Sequence, residues 1–171
     1  MHSRNFHLQE GHVDYFQGVV ADYLSADPAI FVQPEACIRL HPDRPLKKGE
    51  HWYCDILAVS FREQTVYLCE VTLSRTLTAL LKRLREWDAN WTEVCIAVRH
   101  DSRIPDGWHV RPWAFVPSAQ KELLSRGVST LLGAYAGVDR MPRPLVTGLE
   151  DVVPWLYSWP NELPGETASD T

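Results

Sequence analysis

The chain has little of what would announce its chemistry at once. It carries 22 acidic against 17 basic residues, a formal charge of −5 over 171 residues. No global basic field therefore draws it to a polyanion, and any nucleic-acid contact has to rest on a local patch. No run approaches the roughly 20 apolar residues of a membrane span, and the opening MHSRNFHLQE lacks the apolar stretch of a secretory leader, so a cytoplasmic location is expected. Cysteine occurs four times, at 37, 54, 69 and 95, and never as C-x-x-C. Each lies in an apolar, strand-like run, where a small buried thiol is the simpler reading and a zinc cluster or disulfide frame the poorer one. There is no G-x-S-x-G elbow, no glycine-rich phosphate loop, no dinucleotide fingerprint and no H-E-x-x-H. Serine-hydrolase, nucleotide-phosphate and zincin chemistries are left without support. A cysteine nucleophile is disfavoured as well, because a strand-interior thiol lacks the base or cation that would make it a thiolate.

What is present is material for a core. Hydrophobic residues make up 45% of the chain and aromatics 11%, enough for one globular domain. Val13, Phe16, Val20 and Leu24 recur at helical spacing between about Phe6 and Leu24, and A-D-P at 26–28 stops the pattern. IFVQPEACIRL from Ile30 reads as a strand that Pro34 assigns to a sheet edge or a bulge, and the polar HPDRPLKKGE after it reads as a loop. Leu77, Leu80, Leu81, Leu84, Trp87 and Trp91 form one stripe of an amphipathic helix, which makes core packing a simpler role for both tryptophans than base stacking. EVCIAVRH from Glu93 reads as a further strand, joined to the one before it by a parallel crossover. VRPWAFVP from Val110 reads as a fifth strand, with a short helix from about Ser118 to Arg126. These elements divide the chain into an α/β domain over 1–140 and a C-terminal short helix with a loose polar tail over 141–171.

The stretch CDILAVSFREQTVYLCEVTLS, residues 54–74, raises a sharper question, because each of its two apolar runs carries one carboxylate, Asp55 and Glu70. With FREQ as the turn, Ser60 opposes Thr65 and Asp55 falls directly opposite Glu70 in an antiparallel hairpin. Opposed side chains on one face stand with Cβ atoms roughly 5 Å apart, so two like charges there destabilise the pair. Leu57, Val59, Val66 and Leu68 share that face, while Cys54, Ile56, Ala58, Tyr67, Cys69 and Val71 take the other. Both faces are apolar, so the strands are central, and an unpaired charge at their margin costs several kcal/mol. A hard divalent cation such as Mg²⁺ would turn repulsion into coordination. Two plainer alternatives stand beside it: an arginine neutralises one acid, or the register slips by one residue and separates them.

With this hairpin preceded by a helix and a strand and followed by a helix and a strand, the chain resembles the PD-(D/E)XK nuclease superfamily over about residues 6–117. The residues that carry the resemblance are the acids of WYCDILAV and VYLCEVT. It implies a restriction-endonuclease-like αβββαβ core, a mixed central sheet flanked by helices, and Mg²⁺ (or Mn²⁺) held by Asp55, Glu70 and the carbonyl of Val71. It also implies hydrolysis of phosphodiester bonds, most simply in DNA, and homodimers in those relatives that cut two strands. Many members add a glutamate from the first helix, which Glu10 matches in place, with Asp14 one turn further on. The departure from the pattern lies two residues after the glutamate. E-V-T puts Thr72 where the family's lysine would position the attacking water and steady the phosphorane.

Three outcomes are consistent with Thr72. A cation can come from elsewhere: Arg75 or Lys82 on the following helix, or Lys47 or Lys48 in the preceding loop. On the helical wheel Arg85 lies nearer the apolar stripe than Lys82, although an always-charged guanidinium cannot serve as a base. The metal can act without the lysine. Or the chain is a relative that binds nucleic acid or protein without cutting. Arg75, Lys82, Arg83 and Arg85, with Lys47 and Lys48, make a local basic rim beside the acids, suited to phosphate contacts.

Overall fold

The computed structural model describes residues 11–39, 51–133 and 139–153, with 11–14 as helix backbone only. Glu10, Lys47, Lys48 and the polar tail from 154 onward lie outside the described residues. The order is α1 (Gly11–Ser25), β1 (Ile30–Arg39), β2 (His51–Ser60), β3 (Thr65–Val71), α2 (Thr78–Ala89), α3 (Trp91–Ser102) and β4 (His109–Val116). A short 3₁₀ turn then leads into α4 (Lys121–Leu132), β5 (Leu145–Gly148) and a last 3₁₀ turn at Leu149–Val152. The molecule is an α/β protein whose five strands form one mixed sheet in the order β1-β2-β3-β4-β5. β1, β2 and β3 are antiparallel neighbours, whereas β3–β4 and β4–β5 are parallel.

The hairpin register is the expected one, running from Ser60–Thr65 to Ile56–Cys69 around the turn Phe61–Gln64. β3 is buried at all seven positions, as an apolar run inside a two-sided sheet must be. On one face Leu57, Val59, Val66 and Leu68 pack against Leu80, Leu84 and Trp87 of α2, Val94 and Val98 of α3, and Leu124 and Val128 of α4. On the other, Ile56, Ala58, Tyr67, Cys69 and Val71 meet Val20 and Leu24 of α1, with Phe115, Leu149 and Val152. α1 stops where Asp27 Oδ1 accepts the Ala29 N–H at 2.9 Å, a local turn that, with Pro28, competes with helix propagation. Pro34 is accommodated because β1 is an edge strand.

Several sequence expectations are corrected. EVCIAVRH is helix, not strand: α3 buries Trp91, Val94, Ala97 and Val98. That spacing is helical, and it outweighs the β-branched composition, at the expense of leaving Ile96 exposed. The leucine–tryptophan stripe therefore spans two helices that meet at Asn90. The crossover from β3 ends in β4, which is the VRPWAFV segment and the fourth strand rather than the fifth. α4 runs six residues past the expected end at Arg126. The fifth strand, β5, lies in a segment whose pattern announced only a short helix, and the helical part there is the 3₁₀ turn at Leu149–Val152. Cys95 sits on a helix and is half-buried, and all four cysteines are free. No helix among the described residues is long and apolar enough to cross a membrane.

The face assignment of Cys54 also changes. Pairs Ile30–Ser60, Val32–Ala58 and Pro34–Ile56 run in the alternation expected. Beyond them, Ala36, Ile38 and Cys54 belong to the core on the α2–α3 side. Between the two stretches Glu35 adopts a left-handed backbone, φ 51°. That conformation rotates β1 and carries β2 with it, so the facing of both strands switches at Glu35 and Asp55.

Candidate functional site

Asp55 stands at this switch, where β2 parts from β3. The last paired residues are Ile56 and Cys69, so Asp55 does not pair directly with Glu70 as the sequence led us to expect; its carboxylate replaces a strand partner instead, and Oδ2 accepts the Val71 N–H at 2.7 Å. Asp55 is half-buried and Glu70 is 6% exposed, the one buried charged residue among those described. Asp55, Glu70 and Val71 are therefore gathered at one point, at the end of a strand whose neighbour β4 places Ala114 beside Glu70.

Electrostatics mark the pair. Burial, reinforced by the charge of Asp55, pushes the Glu70 carboxyl up to about 8, against the opposing pull of Arg83. Burial raises Asp55 as well, while the Val71 N–H, Arg83 and the Gln17 side chain favour its charged form. Cys54 and Cys69 beside them are raised by burial and by the two carboxylates, which makes them poor thiolates.

The cation at the site is Arg83 on α2, whose Nη1 lies 2.6 Å from Glu70 Oε2. The arginine alternative raised by the sequence thus describes one half of the pair. Arg75, Lys82 and Arg85 are exposed, and Lys82 pairs along its own helix with Glu86 at 3.8 Å. Arg85, which the wheel favoured, is not the residue that turns inward. Two signals for the site were present in the sequence. Arg83 falls three residues after Leu80 and four before Trp87, on the stripe itself, and Gln17 falls likewise between Val13 and Val20 of α1. A polar residue on an apolar helix face has to find a partner. Thr72 donates its N–H to the Phe115 carbonyl at 3.0 Å, and its Oγ1 accepts from the Ser74 N–H at 3.1 Å. It serves the β3–α2 turn.

Among the described residues no three of His, Cys, Asp and Glu converge as a metal cluster, so the donors in view are the two carboxylates and the Val71 carbonyl. Their chemistry fits a hard divalent ion. Glu70 Oε1 is buried with no hydrogen-bond partner, an unmet acceptor that costs about 1 to 3 kcal/mol and that a cation would satisfy. No protein-family model matches the chain, and no curated protein matches it either.

Proposed function

We propose that the chain is a metal-dependent nuclease of restriction-endonuclease-like fold that hydrolyses phosphodiester bonds of DNA. The observation that carries this reading is the buried, unpartnered Oε1 of Glu70 beside Asp55, at the point where β2 and β3 separate. Asp55, Glu70 and the Val71 carbonyl would hold Mg²⁺ or Mn²⁺, with Glu10 as a further acid from the N-terminal side. A divalent ion so held supplies positive charge that polarises a phosphoryl oxygen and lowers the pKa of water. The protein's own part is to fix the acids. The Val71 N–H orients Asp55, and burial between β2, β3 and α2 keeps Glu70 from rotating into solvent. Arg83 brings a permanent cation to a site whose Thr72 has none, which favours an enzyme over a bare relic of the fold. The candidates for holding the DNA backbone are Arg75, Lys82 and Arg85 with Lys47 and Lys48.

A second reading, a non-cutting relative that binds nucleic acid or protein, is favoured by Thr72, whose hydroxyl is engaged in the local turn. Nicking of supercoiled plasmid with Mg²⁺ or Mn²⁺ separates the two. Wild type is expected to cut, EDTA to stop it, and Asp55→Ala and Glu70→Ala to lose at least about a hundredfold in rate. A folded wild-type chain that leaves the plasmid intact selects the non-cutting reading.

A further inference from the structure

Arg83 and Glu70 differ in freedom. The Glu70 side chain is 8% exposed and the Arg83 side chain 40%. One partner of this 2.6 Å ion pair is locked into the sheet, while the other reaches it from a helix with a route back to water. A carboxylate oxygen that takes a short charged hydrogen bond from a guanidinium has lost much of its donor capacity towards a metal. Two cations therefore compete for Glu70.

We propose that Arg83 is a displaceable guard of the carboxylate pair: it holds Glu70 Oε2 while no divalent ion is bound, gives it up when one is, and then turns its guanidinium towards a phosphate oxygen of the substrate. This rests on the metal-site reading above and deepens it by making ion binding and substrate positioning two states of one side chain. Three features support the exchange. Oε1 is already unpartnered, so an ion has a first ligand before Arg83 moves. Asp55 is held through Oδ2 by a backbone N–H rather than by Arg83, so its position survives the departure. And a guanidinium is weakly hydrated and suits phosphate oxygens as well as carboxylate ones, so neither state leaves it unmatched.

The test is calorimetric titration of Mn²⁺, in argon-purged buffer at pH 8.5 where Glu70 is ionised, into the full chain stripped with EDTA, without nucleic acid. It compares wild type with Arg83→Gln, Arg83→Lys, Asp55→Asn and, as a charge-matched control on α4, Arg126→Gln. Removing the competing charge is expected to tighten Mn²⁺ by about tenfold in Arg83→Gln. Arg83→Lys should fall between it and wild type, Arg126→Gln should match wild type, and Asp55→Asn should bind weakly or not at all. In the plasmid assay Arg83→Gln is expected to cut more slowly than wild type despite its tighter metal. Equal or weaker Mn²⁺ binding by Arg83→Gln, in a chain where wild type binds and Asp55→Asn does not, overturns the guard and leaves the metal site standing. Failure of wild type, Arg83→Gln and Arg83→Lys alike to bind Mn²⁺ removes the metal site and the guard with it. If Arg83→Gln does not fold, Arg83→Lys decides by the same comparison with wild type.

Discussion

At the residue scale, Glu70 makes the chain's stability depend on pH. Its carboxyl, raised from 4.5 to about 8 by burial and Asp55, holds a proton more tightly in the folded chain than in the unfolded one. Folding therefore binds protons between those two values. The stability this group contributes is complete below about 4.5 and is lost as pH rises towards 8. Glu70→Gln, which cannot ionise, is expected to be more stable than wild type at pH 8.5 by on the order of 2 kcal/mol, with the gap closing at pH 5. Urea unfolding in EDTA at the two pH values measures it. A gap of the same size at both values would mean that ionisation of Glu70 is not the cause. The acids themselves were legible as neighbours at the open end of the hairpin, although pairing stops at Ile56–Cys69 and Asp55 meets the Val71 N–H rather than lying opposite Glu70. Arg83 was harder to find: its spacing from Leu80 and Trp87 sets it on the apolar face of α2, but spacing alone does not say which partner a polar residue there meets.

At the element scale, the site depends on a strand that turns over. Glu35 is exposed and carries a positive φ of 51°, a conformation that costs a residue with a Cβ roughly 1 kcal/mol or more. Glu35→Gly is expected to leave stability unchanged or to raise it by up to about 1 kcal/mol, and Glu35→Val to lower it by about 1 to 2 kcal/mol. Thermal unfolding measures both. If Val is tolerated as well as Gly, the left-handed backbone does not set the turnover of β1 and β2. No pattern announced this feature, because a strand's alternation records which residues are apolar and not where the strand rotates. The junction of α2 and α3 was hidden for a related reason. Apolar spacing continues from Leu80 through Trp91 to Val98 across Asn90, and the β-branched run after Glu93 reads as a strand unless period is weighed above composition.

At the scale of the whole molecule, a chain of net negative charge that binds DNA, as proposed, has to do so through local clusters of cations. Arg75, Lys82, Arg83, Arg85, Lys47 and Lys48 supply six cations, so the dependence of log K on log salt for duplex binding is expected to be no steeper than about −5. Fluorescence anisotropy with the Asp55→Ala variant, which keeps the duplex intact, measures the slope. A steeper slope would place a larger basic surface elsewhere. The two-sided sheet explains why both acids are costly. α1 covers one face and α2, α3 and α4 the other, so a charge at the strand margin has little water to turn to and must meet a cation.

By itself the sequence determined the α/β class, the hairpin register from Ser60–Thr65 to Ile56–Cys69 and the nearness of Asp55 to Glu70, because these follow from alternation, helical period and the length of one turn. It also marked Arg83 and Gln17 as polar residues on apolar stripes without saying what they meet. Tertiary structure alone decided that α2 brings Arg83 to Glu70, that β2 and β3 part at Asp55, and that Leu145–Gly148 closes the sheet as β5. Each of these depends on how separate elements pack against one another, and a local pattern carries no record of a neighbour distant in the chain.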